Sequence, residues 1–467
     1  MNTELPPLNK IHKKKSNQSI RFVTFNVNGA KTLFNYHPWT YFNHDYNSVF
    51  NSLQADIITL QELKLSRTNL HTIKNIGHLK NYRSFITLPK TKKGYSGVGL
   101  FVRIPESNES TSVKKCLSVI KAEEGITGWL CPRDSTVPYR EMEQSIGGYI
   151  DIDSQQGLNL DSEGRCVCVE FANNLVVFAL YCPANSMDTE EGEQFRLNFI
   201  SLLLERCYNL KFMGKEVIIM GDINIATDLI DHAQSIEDMT HSSSIKNFEM
   251  VNYEECCEFK NSTLARSLLN KYVIPGLWHD LTATNPQQDT NKQFLYDTTR
   301  FIQGRRMKMY TVWNTLTNSR AINFGSRIDL ILTSSYNMMK SISQADIWEF
   351  ILGSDHCPVF TDFESDCFID EEEEIPAIQK IPFEAKYHYK LFKNRDISSL
   401  FASRKPSSPS PEQTDTTPSS DSANNSESSS QLEEPKEQPV KSKIKYVSHK
   451  IEKAKKDKQK SIDRFFS

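Results

Sequence analysis

Five short motifs hold most of the side chains in this chain that are placed to do chemistry, and they run from residue 26 to residue 356. They are Asn26-Val27-Asn28-Gly29, Leu60-Gln61-Glu62, Gly221-Asp222-Ile223-Asn224, Ser326-Arg327-Ile328-Asp329 and Gly353-Ser354-Asp355-His356. Each presents a carboxylate, a carboxamide or an imidazole. Each also follows or ends a stretch that reads as a β-strand. One alone means little: Asn-x-Asn-Gly is a common turn, and Leu-Gln-Glu carries no signal of its own. The ordered set points to a single polar pocket that binds a hard cation and cuts a phosphate ester.

A phosphodiester resists water because its negative oxygens repel a nucleophile. A catalyst must neutralise the developing charge, activate water and help the leaving oxygen depart. Mg2+ suits the first task and takes oxygen ligands, usually one or two carboxylates plus waters. Glu62, at a strand end after an apolar run, is the leading candidate ligand. Asn26, Asn28 and Asp355 complete the shell directly or through water. Asp222 is the candidate for orienting and deprotonating the attacking water. Asn224 points to the same side if the backbone stays extended, where its amide would hold Asp222 or the phosphate. His356 is the natural electrophile, an imidazolium donating to a phosphate oxygen, with Asp329 to fix its tautomer. Asp222, Asn224 and His356 also count as candidate metal ligands. Tyr181 ends another strand with a phenol able to donate to the phosphate.

Strands must carry these groups. Residues 20–27 are β-branched and aromatic, a buried-strand composition. Residues 55–60 and 97–102 read the same way, and 165–181 read as a hairpin turning at 172–174. Residues 193–210 carry Phe195, Phe199, Leu202, Leu203 and Leu210 at a helical period. Residues 216–220 form the next strand, with Asp222 just past its end, and strands follow at 327–333, 346–352 and 358–363. Many strands with few helices between them predict an α/β fold of two packed, mostly antiparallel sheets flanked by helices. The segments near 104–162, 228–262 and 284–308 read as surface insertions.

Composition divides the 467 residues further. Apolar residues make up 38 %, low for a wholly compact chain, so a folded part at 19–364 is expected to join polar, disordered ones. Residues 1–18 read as a basic flexible N-terminus, with His12 and three lysines after it. Residues 365–440 read as a disordered linker, acidic and then rich in Ser and Pro. Residues 441–460 hold nine lysines, and the chain then ends on exposed apolar anchors, Ile462, Phe465 and Phe466. Anchors in such a place are more often docking groups than accidents. The ten cysteines show no paired C-x-x-C spacing, which favours a reducing compartment. No apolar run reaches membrane-spanning length. The net charge of −3 means that any nucleic-acid surface is local.

The five motifs, with Tyr181-Cys182-Pro183-Ala184-Asn185, resemble the exonuclease III-like class II AP endonucleases of the endonuclease/exonuclease/phosphatase superfamily, over about residues 19–364. Within that class the eukaryotic AP endonuclease 2 branch is most similar, through the Tyr181 segment, Asn323 to Asp329, and the tail. The resemblance implies a four-layered α/β sandwich that cuts DNA beside abasic sites with Mg2+ or Mn2+. It implies Asn26 and Glu62 at the metal, Tyr181 at the phosphate, Asp222 and Asn224 at the water, and Asp329 orienting His356. It also implies a nuclear, monomeric base-excision-repair enzyme. Its substrate would be double-stranded DNA with abasic sites or with blocked or recessed 3′ ends. Gln459, Ile462, Phe465 and Phe466 match the Gln-x-x-Ile-x-x-Phe-Phe pattern that docks on the PCNA clamp.

Departures from the family pattern sharpen the expectation. Asn28 stands where the dominant branch has Asp. Ser326 stands where that branch has a Trp lining the abasic-sugar pocket. A smaller residue there favours 3′→5′ exonuclease and 3′-phosphodiesterase work over strong AP-site incision. Asn28 and Ser326, with Arg305, Arg306 and Lys308, are the candidate DNA contacts. Asn185 is offset from the family's Asn position. The lysines of 441–460 serve either DNA phosphates or nuclear import. Two competing readings remain: a non-catalytic PCNA or DNA adaptor on the same fold, and a phosphatase or RNA-directed member of the superfamily.

Overall fold

The computed structural model describes residues 5–66, 76–90, 94–245, 252–274, 292–368 and 379–391. The strands are β1 (Ser19–Asn26), β2 (Ile57–Gln61), β3 (Tyr82–Thr87), β4 (Val98–Arg103) and β5 (Val119–Glu124). Next come β6 (Cys166–Phe171), β7 (Leu175–Tyr181), β8 (Glu216–Asp222), β9 (Val273–Ile274) and β10 (Leu295–Asp297). The last are β11 (Val312–Trp313), β12 (Gly325–Ser326), β13 (Asp329–Thr333), β14 (Ile342–Ile347) and β15 (Val359–Glu364).

One sheet has six strands in the order β14-β15-β1-β2-β4-β3, and a second has seven in the order β5-β6-β7-β8-β13-β10-β9. Within these sheets β1–β2, β7–β8 and β9–β10 pair in parallel, and the other pairings are antiparallel. β11 and β12 form a separate small hairpin.

The strands lack an apolar/polar alternation because both faces of each sheet are covered. Phe22, Ile57 and Leu100 from one sheet meet Val167, Val177, Ile218 and Ile331 from the other in a shared core. The opposite face of the first sheet, with Val23, Phe25 and Ile58, packs under Trp39 and Phe50. The opposite face of the second, with Val176, Phe178 and Ile219, packs under the helix Glu190–Phe212 through Phe199, Leu203 and Leu210. The four layers are helix, sheet, sheet, helix, as the sequence predicts.

Several boundaries differ from expectation. The N-terminus is not loose over its described part: Leu8 and Ile11 are buried, and the Trp348 indole donates to His12 Nδ1 at 3.1 Å. The expected linker is interrupted by a segment at 379–391 that packs on the fold. Ile381, Phe383 and Ala385 are buried there, and Arg83 pairs with Glu384 at 3.0 Å. Apolar residues spaced among lysines hid this strap. Residues 104–162 are not an insertion, since β5 within them completes the second sheet. The strand expected at 346–352 lies earlier, at Ile342–Ile347. Residues from 392 onward, including Gln459, Ile462, Phe465 and Phe466, lie outside the described residues. No described helix is long and apolar enough to cross a membrane.

Candidate active site

Strand register assembles the site. β1 and β2 run in parallel with Asn26 opposite Gln61, so Asn26 and the next residue of β2's chain, Glu62, leave the first sheet together. In the second sheet Asp222 on β8 lies between Tyr181 on β7 and Asp329 on β13, placing three functional groups in one row. Gly221 makes this close pairing feasible. It sits at φ +149°, and a Cβ there would stand 2.0 Å from the Leu180 carbonyl oxygen. His356 enters from the loop before β15, bridged to Val312.

The side chains converge. Asn26 Nδ2 donates to Glu62 Oε1 at 3.0 Å and to Asp222 Oδ2 at 2.9 Å, and lies 3.4 Å from His356 Nε2. His356 Nδ1 meets Asp329 Oδ2 at 2.8 Å, and its Nε2 lies 3.9 Å from Asp222 Oδ2. Asp222 Oδ1 accepts from the Asn224 backbone N–H at 3.0 Å. Asn28, Glu62, Lys64 and Asn224 all adopt left-handed backbone, with φ between 47° and 55°, a conformation that non-glycine residues adopt at a cost.

Crowding buried acids has an electrostatic effect. Burial and the Asp329 charge hold Asp222 well above the carboxylate range, and His356 only partly offsets them. Burial alone would lower His356, but the charge and hydrogen bond of Asp329, with Asp222 and Asp355, raise it well above the imidazole range. The imidazolium form is therefore favoured. Burial, Glu62 and Asp222 push the Tyr181 phenol well up, so it stays protonated and can donate. Arg165 lies over the Tyr181 ring at 5.0 Å and donates to its carbonyl at 3.2 Å.

The cluster fits a hard cation. Glu62, Asp222 and His356 each offer a ligand atom, and these atoms lie within 4.8 Å of one another. Two carboxylates and an imidazole are a donor set suited to a divalent ion. A cavity of about 520 Å³ opens onto them, walled by Tyr181, Phe195, Val312, Trp313 and Ile328.

Residues 23–356 match the endonuclease/exonuclease/phosphatase family. The chain belongs to this family. It is 43 % identical over 408 residues to the DNA-(apurinic or apyrimidinic site) endonuclease 2 of Saccharomyces cerevisiae, covering 84 % of this chain and 75 % of that protein. The proteins of the same name from Schizosaccharomyces pombe and Homo sapiens are 30 % and 27 % identical, over 82 % and 73 % of this chain. The chain spans 65 % and 59 % of those two proteins' lengths. The crystal structure of the Xenopus laevis APE2 catalytic domain shares the fold, with a TM-score of 0.58 at 23 % identity, over 79 % of this chain and 98 % of that one.

Within this family fold, the expected residues divide into two groups. Asn26, Glu62, Tyr181, Asp222, Asp329, Asp355 and His356 come together. Asn28 joins them by donating to Asp355 Oδ1 at 2.9 Å. Asn224 is in place, but not by the extended backbone expected: its left-handed turn sends its amide to the Cys182 carbonyl at 2.8 Å. Asn185 lines the cavity, and its amide is held by Thr189 and Glu193.

The expected DNA contacts fare differently. Ser326 is buried, laddered to Val312 on one side and bridged to His232 on the other, so it is not in the cavity wall. Trp313, on the facing strand, supplies the aromatic wall instead. Arg305 chelates both oxygens of Asp228 at 3.0 and 3.1 Å, and Arg306 those of Asp346 at 3.0 and 2.6 Å. Those acids lie far away in sequence, so the linear reading left both arginines unpaired. Lys308 takes a left-handed turn whose carbonyl accepts from Asn323 at 3.0 Å. Sequence reading passed over Tyr95, Arg165, Trp313 and Lys64. Only Lys64, two residues beyond Glu62, carried a local signal.

Proposed function

We propose that this chain is a divalent-metal-dependent DNA-repair nuclease that cleaves phosphodiesters at abasic sites and at 3′ ends, as AP endonuclease, 3′→5′ exonuclease and 3′-phosphodiesterase. The observation that carries the reading is the convergence of Glu62, Asp222 and His356, with His356 backed by Asp329. Mg2+ or Mn2+, when bound, would supply positive charge to the phosphate. Glu62 and Asp222 would hold it, with Asn26, Asn28 and Asp355 around them and Asn224 fixing Asp222, while His356 keeps its Nε2 proton for the phosphate.

The chain's own groups do the rest. Asp222, raised in proton affinity by burial, orients a water and takes its proton. His356 donates from Nε2 to a phosphate oxygen while Asp329 holds Nδ1. Tyr181 donates its phenol proton as a hydrogen bond to the same phosphate, and Arg165 behind it adds positive charge. The apolar wall of Trp313, Val312 and Ile328 suits a sugar without a base, or a terminal nucleotide.

Double-stranded DNA with abasic sites, or with blocked or recessed 3′ ends, is the proposed substrate. Base excision repair in the nucleus is the proposed setting, with the enzyme acting as a monomer. PCNA is the proposed partner, through Gln459, Ile462, Phe465 and Phe466. Replacing Phe465 and Phe466 with Ala should abolish clamp pull-down while leaving cleavage of free oligonucleotides intact.

The deciding experiment titrates Mg2+ and Mn2+ against three labelled duplexes: an internal abasic site, a recessed 3′ end and a 3′-blocked end. Metal-dependent cleavage supports the reading. Silence on all three would favour a non-catalytic adaptor, and preference for RNA or inositol phosphates would favour another branch of the family.

A further inference from the structure

We propose that Lys64 is a fixed cation of the active centre that occupies the outer face of Glu62 and restricts the centre to one divalent ion. The inference rests on the metal-centre reading above and deepens it. The two oxygens of Glu62 have separate partners. Oε1 faces inward and accepts from Asn26 at 3.0 Å, beside Asp222 and His356. Oε2 faces outward and pairs with the Lys64 ammonium at 2.8 Å. The same ammonium donates to Asn28 Oδ1. The Asn28 amide nitrogen in turn donates to Asp355 Oδ1 at 2.9 Å, and Ser354 Oγ donates to that oxygen at 3.0 Å. A continuous chain, Glu62–Lys64–Asn28–Asp355, therefore rims the outer side of the centre.

The lysine is aimed by its backbone. Its N–H donates to the Ser96 carbonyl at 2.9 Å, and Leu63 beside it is pinned in both directions, to Gly97 and by Ala30, each at 3.0 Å. Left-handed φ at Asn28, Glu62 and Lys64 turns all three side chains toward one point. The lysine stem lies over Gly29, its Cδ 3.9 Å from where a Cβ would stand.

Charge and donor count explain why this seat takes an ammonium. A second divalent ion near the first needs oxygens, chiefly carboxylates. The outer seat offers one carboxylate oxygen and one neutral amide oxygen, and both already accept from Lys64. A divalent ion there would have to displace the ammonium and share Glu62 with the first ion close by, with no further carboxylate of its own in the outer seat. The Glu62–Lys64 pair is over a third exposed on the lysine side. It therefore adds little stability by itself, and its effect is one of exclusion.

The test counts Mn2+ ions on the metal-stripped full chain, without DNA, by calorimetry and by electron paramagnetic resonance. Wild type and Lys64→Arg are expected to bind one ion. Lys64→Gln is expected to bind two. Adding Asn28→Asp to Lys64→Gln supplies a second carboxylate and should tighten the second ion about tenfold or more. Melting curves of each variant confirm folding before binding is read. Two ions on wild type, or one ion on both Lys64→Gln and the double variant, would overturn the inference while leaving the metal centre standing. No Mn2+ on wild type would remove the metal-centre reading itself, and this inference with it.

Discussion

Two clusters of buried acids meet within the motif Ser326-Arg327-Ile328-Asp329, and they are built on opposite plans. At Arg327 the acids are neutralised: its guanidinium donates to both oxygens of Asp231 at 2.8 Å and to Asp297 at 2.7 Å, and Arg300 also pairs with Asp231. Burial alone would raise Asp231, but these two arginines hold it below the usual carboxylate range. Two residues on, Asp329 faces the other cluster, where Glu62, Asp222 and Asp329 share a single imidazole as their inner cation, and Asp222 is pushed up. One cluster is balanced in charge as folded. The other is short of positive charge in a way that a divalent ion and a phosphate-bound imidazolium would remedy. Excess buried acid, more than buried acid itself, separates a working centre from a structural one.

Matching substitutions in the two clusters should therefore act in opposite ways. Asp222→Asn is expected to lower the cleavage rate by roughly a thousandfold or more. It should leave the metal-free melting temperature equal or higher, because a neutral amide replaces a group whose charged form burial and Asp329 already disfavour. Unchanged turnover by the purified variant would take Asp222 out of the mechanism. Asp231→Asn should instead cost about 3–5 kcal/mol in urea unfolding, since it leaves two buried guanidinium groups with Asp297 as their one remaining carboxylate partner. A loss below about 1 kcal/mol would erase the contrast between the clusters.

A pH test probes the structural side again. His232 is buried, and its Nδ1 accepts from the Ser235 N–H at 3.2 Å, a role open only to the neutral ring. Burial, and then the Arg266 charge, lower it to about 4. The unfolded chain, titrating near 6.5, binds the proton first. Stability is thus complete above about pH 6.5 and falls as pH drops toward 4, by roughly 3 kcal/mol if the whole shift is realised. His232→Gln should flatten that part of the stability profile.

Metal removal comes next. At a hundredfold excess over its dissociation constant, Mg2+ or Mn2+ should stabilise the native chain by about 2.7 kcal/mol, and Asp222→Asn should blunt that gain. The smallest expected effect is at Arg306, whose side chain is 43 % exposed in its pair with Asp346. Arg306→Ala should change stability by about 0.5 kcal/mol or less and leave cleavage within about twofold. A large loss of DNA binding would restore the DNA contact expected from sequence.

The sequence revealed the parts of the site that local chemistry dictates. Glu62, Asp222, Asp329 and His356 stand at strand ends, and a strand end is legible from apolar composition. It did not reveal pairings set by distant residues. Arg305 and Arg306 read as free cations until Asp228 and Asp346 appear beside them. Ser326 read as a pocket residue, whereas strand pairing buries it and gives the wall to Trp313. Asn224 meets Asp222 through its backbone N–H and not its amide, because a single left-handed residue undoes the period of two along a strand. The strap at 379–391 was missed because a few apolar residues among lysines look the same whether or not a surface waits to receive them.

The left-handed backbone at Asn28, Glu62, Lys64 and Asn224 has a consequence for how this enzyme can be altered. Asparagine tolerates that conformation, but glutamate and lysine adopt it at a cost of about 1 kcal/mol or more. Glycine at 62 or 64 would relieve that backbone strain, offset in part by the greater freedom of the unfolded chain, and would leave no carboxylate or ammonium in place. Strain at these two positions is thus held for the sake of the side chains they carry, and a variant raised without an activity screen should be checked there first.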